Sequence, residues 1–329
     1  MFQLTGRKVV VFFLVFFIIN YIIAVFWSIE PDRIEVKEYV LEQAVANGEE
    51  AVTGYATTTA LMFVAETLLN KSGGYLSNDK MPPSVFMDNM PSWELGALNQ
   101  VRDLSLIMRK DFSRSQAQSV EHAQLKIAQP KFNIDHTSWQ LPSAEREYQD
   151  AIDALAVYRA QLADPKDPNA QFYARADNLV TWLNEVQSRL GSMSQKLSAS
   201  VGRERINTSL VGDEGAAQST FAPSESMVKT SWWKIDDVFY EARGEAWALL
   251  HFFQAIEVDF KGVLEKKNAT VAVRQIVREL EATQETVWSP MILNGTGFGL
   301  MANHSLVMAN YVSRANAAII NLNNLLTKG

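Results

Sequence analysis

Glu94 stands beside Trp93 at the end of the stretch Gly73–Gly96, GGYLSNDKMPPSVFMDNMPSWELG, which also contains Asp79 and Asp88. An apolar neighbour raises the pKa of a carboxyl group, and a second carboxylate ~5 to 9 Å away completes the pair that glycoside hydrolysis needs. Glu94 with Asp79 or Asp88 is therefore the candidate catalytic set. A glutamate in the first turn of a helix is also what the helix dipole favours for structural reasons alone, and this plainer reading carries more weight. A second set lies in WWKIDDVFYEARGEAWALLHFF, where Asp236, Tyr240, Arg243, Trp247 and His251 recur at steps of three and four. On a helix they form one stripe that can line a groove for a polar ligand. The competing reading is a network along a partly buried helix flank.

Other chemistry is thinly represented. His122, His136, His251 and His304 share no metal-binding spacing, and His304 falls on an apolar seam where a core histidine is expected. NGTGFG, from Asn294 to Gly299, is glycine-rich but follows a helical pattern rather than a strand, so it reads as a turn. With no cysteine in the chain, disulfides, thiol nucleophiles and cysteine-ligated metals are excluded. The sequence predicts no metal and no cofactor. A net charge of −7, with no basic run interleaved with aromatics, argues against a nucleic-acid partner.

The stretch around Glu94 is unusual as a loop, because it is long and carries Tyr75, Met81, Phe86, Met87, Met90 and Trp93. Left in water these side chains would expose more apolar surface than a monomer tolerates. The expectation is a loop folded down onto the rest of the protein, with Tyr75, Phe86 and Trp93 as its anchors.

The elements that must position these residues follow from hydrophobic period. From Val9 to Trp27 the one strongly polar residue is Asn20, and a helix of ~20 residues crosses the hydrocarbon core of a bilayer. Arg7 and Lys8 precede the run, while Glu30, Asp32 and Glu35 follow it, which predicts a cytoplasmic tail over 1–8 and an anchor over 9–28. Bulky Phe26, Trp27 and Ile29 stand where a signal peptidase requires small residues, so the anchor is expected to be retained. Three long apolar seams with alternating steps of three and four run over 172–197, 232–263 and 301–326. Weaker signals predict helices over 35–47, 51–71, 92–129, 143–162 and 271–288. The last helix sets Asn303, Asn310, Arg314 and Asn321 opposite its seam, a pattern of burial between neighbours. The predicted fold is all-α, a single N-terminal transmembrane helix followed by a long-helix bundle. A flexible linker over 202–230 separates an N-terminal helical part, 30–201, from a C-terminal one, 231–329, and reads equally as a domain boundary or as a long surface crossover within one bundle.

GGYLSND, MPPSVFMDNMPSWELG and QVRDLSLIMRKDFSRSQ, together with the single span, resemble an uncharacterised family of proteobacterial membrane proteins known as a domain of unknown function. The resemblance implies a Gram-negative inner membrane and a periplasmic body, and it implies no activity. The expected function is binding, as an envelope assembly or scaffold component with a protein partner. The alternatives are an envelope hydrolase acting on glycan or peptidoglycan through Glu94, and a periplasmic small-ligand receptor using the Asp236–His251 stripe.

Overall fold

The computed structural model describes residues 6–115, 120–167, 169–206, 225–289, 291–295 and 300–328. Helix α1, Gly6–Trp27, is long and apolar enough to cross a membrane: its mean hydropathy reaches 3.0 and none of that window is buried. At ~1.5 Å per residue its length matches the ~30 Å hydrocarbon core. Asn20 satisfies its amide within the helix by donating to the Phe16 carbonyl at 2.9 Å. The helices that follow are α2 (Val36–Asn47), α3 (Tyr55–Asn70), α4 (Asn89–Ile107), α5 (Ala123–Phe132) and α6 (Ala144–Ala163). After them come α7 (Ala176–Ser198), α8 (Ile235–Asp259), α9 (Lys261–Lys266), α10 (Thr270–Ala282) and α11 (His304–Lys328). The fold is all-α, and one core cluster draws on residues from both sides of 202–230. Among the described residues the one strand pair is a short hairpin in which β1 (Arg203–Ile206) runs antiparallel to β2 (Glu225–Val228), with Arg203 opposite Val228. These strands are the two ends of the predicted linker; its middle, 207–224, lies outside the described residues.

Helix α8 is the axis of the body, packing against α3, α4 and α10. Its closest neighbour is α4, and the reason is a reciprocal pair of glycines. A Cβ on Gly96 would fall on the carbonyl of Glu241, and a Cβ on Gly244 would fall on the carbonyl of Trp93. The two backbones therefore touch, which only hydrogen side chains permit. Beside the crossing the rings of Trp93 and Trp247 pack with centroids 5.1 Å apart, both fully buried. The seams of α7 and α11 close against one another, and α5 pairs with α6.

Several predicted boundaries are corrected. The helix expected over 92–129 is two: α4 continues as a π-turn through Met108–Phe112 and ends there, and α5 starts separately. Between them the sequence is rich in serine and glutamine, and serine hydroxyls compete with helical backbone bonds. Pro130 sits in the last turn of α5 instead of standing just past a helix end at 129. The seam over 232–263 is carried by a 3-10 turn, α8 and α9 in succession. Phe172 precedes its helix, its ring set against Phe112 and Phe260. α10 stops at Ala282, short of Trp288. α11 begins after Asn303, whose side-chain oxygen accepts from the Leu306 N–H at 2.9 Å and caps the helix.

Gly96→Ala and Gly244→Ala should each lower stability by at least ~1 to 3 kcal/mol, because the obstruction is backbone and one helix must move away. Gly262→Ala in α9, where a Cβ meets nothing within 4 Å, should be neutral or slightly stabilising. Thermal melting of the detergent-extracted protein checks the contrast.

Candidate functional site at the exit of the N-terminal helix

The chain leaving α1 is fastened to the body rather than tethered to it. The Trp27 indole lies over Gly73, where any side chain would collide with it. Three residues on, the Glu30 carboxylate takes a bidentate bond from Arg243 of α8, at 2.7 Å to Nε and 2.5 Å to Nη2. The same guanidinium donates to the carbonyls of Thr283 at 2.9 Å and Glu285 at 2.8 Å, capping the C-terminal end of α10 from outside. Further along, the Ile34 N–H donates to His251 Nε2 at 3.3 Å and the Val36 N–H donates to the Gln254 side-chain oxygen at 3.2 Å. His251 Nδ1 lies 2.8 Å from the Trp247 carbonyl. With Nε2 accepting, Nδ1 must carry the proton, so the ring is neutral. Burial pushes its pKa down to about 4, opposed by the bond to Trp247.

Two grooves flank this strap. One, of about 450 Å³, is lined by Glu30, Asp32, Arg33, Tyr240, Arg243 and Trp247. The other, of about 420 Å³, lies on its far side against Tyr39, Phe63, Glu66 and Asn70. The sequence-predicted stripe is thus divided. Arg243, Trp247 and His251 are buried and hold the fold together, whereas Asp236 and Tyr240 are half-exposed. Burial raises the Asp236 carboxyl, with Asp88 and Asp237 adding to the effect.

Glu94 lies in the interior at the start of α4, and its carboxylate is saturated. It pairs with Lys71 Nζ at 2.5 Å and accepts from the N–H groups of Leu76 and Ser77, each at 2.8 Å, and from the Ser77 hydroxyl at 2.5 Å. Burial pushes its pKa upward, and Lys71, Ser77 and Leu76 pull against that. Asp79 and Asp88 are exposed and neither is among its partners. The arrangement pins the first residues of the loop to α4. Tyr75 follows suit, buried with its ring 5.5 Å from that of Tyr148. Phe86 does not: it is 73% exposed, and the expectation that it packs onto the bundle is corrected. Met81 and Val85 are exposed with it, whereas Leu76, Asn78 and Ser84 of the same loop are buried.

Three buried charged groups escaped sequence reasoning because each acts on a distant segment. Asp259 caps α3 by accepting from Gly54 N–H at 2.8 Å and from Thr57 N–H at 2.7 Å, and burial lifts its pKa to about 6. Lys71 closes the Glu94 pair. Glu245, next to Gly244, is buried 3.9 Å from Arg189, which is itself engaged bidentately by Asp103. With one oxygen unpartnered, Glu245 is pushed by burial to about 8, against the pull of Arg189. A polar cavity of about 250 Å³ adjoins it. Among the described residues no cluster of three or more histidines and carboxylates is arranged to hold a metal ion.

Trp93→Ala should cost ~3 to 5 kcal/mol and Glu94→Gln a similar amount, the latter because it strands the Lys71 ammonium. Phe86→Ala should leave the melting temperature of the extracted protein unchanged. The Glu245 carboxyl is protonated in the fold up to about pH 8 and ionises near 4.5 when unfolded. Across that window the unfolded chain holds fewer protons, so the contribution of Glu245 to stability falls as pH rises and levels off above it. Glu245→Gln should therefore melt with the parent at about pH 4.5 and increasingly above it towards pH 9, read by melting curves across the range.

The chain has no match among curated proteins or solved structures. A family model does match, over residues 3–329, so that α1, the strap, the loop of Glu94 and the α4–α8 crossing all fall within one conserved unit. The chain belongs to the family described as an uncharacterized protein conserved in bacteria (DUF2333), in keeping with the resemblance carried by its loop.

Proposed function

We propose that this is a single-span inner-membrane protein, N-terminus cytoplasmic, whose helical body lies in the periplasm and acts by binding, as an assembly or scaffold component of the envelope. The observation that carries the reading is the strap. Four separate fastenings between residues 27 and 36 and the body make the end of α1 part of the fold. Removal of α1 by a signal peptidase would take Trp27 from its place over Gly73, which supports a retained anchor. Rigid attachment fixes which faces of the body meet the membrane, a property that a scaffold uses and a freely tethered hydrolase does not need. The grooves beside the strap are the natural seat for a partner segment, and we assign the parts before and after 202–230 to one working body. The hydrolase reading requires an open pair of carboxylates, and Glu94 sits closed upon Lys71 and Ser77.

Alkaline phosphatase joined after residue 329 should be active, and a reporter that works only in the cytoplasm should be silent at the same place. The reverse pattern overturns the topology. A photo-crosslinking residue at Asp32, in the larger groove, should give a discrete adduct of higher mass in the envelope fraction. If none forms there, binding at the groove is refuted.

A further inference from the structure

The loop between Tyr75 and Met90 borders α1 through its second half. Pro83, Phe86 and Met87 face Phe17, Tyr21 and Ala24 across a cleft of about 480 Å³. These α1 residues lie in the half of the helix nearer the body, and Tyr21 is six residues from Trp27, about 9 Å along the axis. A loop at that height beside a membrane-spanning helix is itself at membrane depth.

Its composition and its hydrogen bonds suit that position. Met81, Val85 and Phe86 are 74%, 52% and 73% exposed, and Pro82 is exposed beside them. The one polar side chain of the tip, Ser84, is buried and donates to the Met81 carbonyl at 2.7 Å. Pro82 and Pro83 have no N–H. Val85, Phe86 and Met87 donate theirs to Met81, Pro83 and Ser84 at 3.3, 2.9 and 2.9 Å. In lipid a backbone must satisfy itself, and this one largely does. Charge resumes on either side, with Asp79 and Lys80 before the tip and Asp88 after it, all exposed.

A second exposed apolar feature is a pair of tryptophans. Trp232 and Trp233, at the head of α8, are 66% and 76% exposed, with their rings edge to face at 4.9 Å. Lys234, the next residue, pairs with Asp237 of the first turn of α8 at 2.7 Å. Exposed tryptophans on a membrane-anchored body are side chains that favour the headgroup level.

We propose that Met81–Phe86 inserts into the bilayer leaflet surrounding the body-side half of α1, with Trp232 and Trp233 at its surface, so that the body lies on the membrane. The inference rests on the reading of α1 as a span and adds a second, independent membrane contact. The occupant is lipid rather than another protein because the tip is continuous with α1, which has no buried residue of its own.

Because the chain lacks cysteine, Phe86→Cys can carry a single environment-sensitive fluorophore. The full chain is reconstituted in vesicles of phosphatidylethanolamine and phosphatidylglycerol, with or without lipids brominated in the upper acyl chain, and Phe17→Cys serves as the reference in α1. The expected result is loss of emission with brominated lipid at position 86 approaching that at 17, with little loss to aqueous iodide at either. Quenching at 17 together with iodide quenching at 86 overturns the insertion and leaves the anchor standing. A label at 86 shielded from both quenchers means that protein covers the tip, and also overturns the proposal. Iodide quenching at both positions removes the anchor and the insertion together.

Discussion

The contact between α4 and α8 is the constraint on which the other arrangements depend. Gly96 and Gly244 let two helix backbones meet where any other residue would hold them apart. Trp93 and Trp247 are then brought ring to ring beside the crossing, and both are sealed from solvent. Close approach also fixes the rotation of α8. With Gly244 turned to α4, the adjacent Arg243 is turned to the strap and to the end of α10, and Glu245 to Arg189 of α7. Three successive residues thus reach three different partners, so a change in the crossing would disturb all of them.

From that fixed axis α8 completes the polar requirements of other elements. Helix ends and extended segments carry backbone groups that their own element cannot pair. Asp259 supplies the acceptor for the start of α3, where Gly54, at a φ of 93°, offers no side chain to cap it. Arg243 supplies the donors for the carbonyls that follow α10. His251 and Gln254 supply acceptors to the strap, and the histidine can do so only as a neutral ring. Each of these groups is bonded, and all but the half-buried Gln254 are buried, which is why their polarity signifies construction rather than a vacant site. Glu245 is the exception, since one oxygen has no partner and its burial favours the protonated form.

What the sequence revealed and what it withheld divide along the range of the interactions. α1, α2 with its closing Gly48 at φ 64°, α6 and the seams of α7 and α11 depend on neighbours three or four residues away, and period alone locates them. The stops of α10 and the start of α3 depend on Arg243 and Asp259, 40 and 202 residues distant, and no local pattern announces them. Glu94 shows the same limit. Its neighbour Trp93 and its place in a first turn were evident, but its function as the anchor of Leu76 and Ser77 is decided by Lys71, which precedes a turn and carries no sign of pairing.

The expectation for the loop failed at Phe86 for a reason that is itself informative. It assumed water as the only solvent, so that apolar side chains in a loop must either pack on protein or stay few. Tyr75, Met90 and Trp93 obey that rule, all three buried in the protein. Met81, Val85 and Phe86 do not, and Phe86 lines the cleft beside the helix. One sequence segment therefore meets two media: its ends are written for a protein interior, with Glu94 bonding the backbone there, and its middle for surroundings in which exposed methionine and phenylalanine cost nothing but an unpaired N–H would be costly. Pro82, Pro83 and the 3-10 turn at Ser84–Phe86 remove most such N–H groups locally, without help from a neighbouring element. A loop folded for burial against the bundle could have left that task to its neighbours.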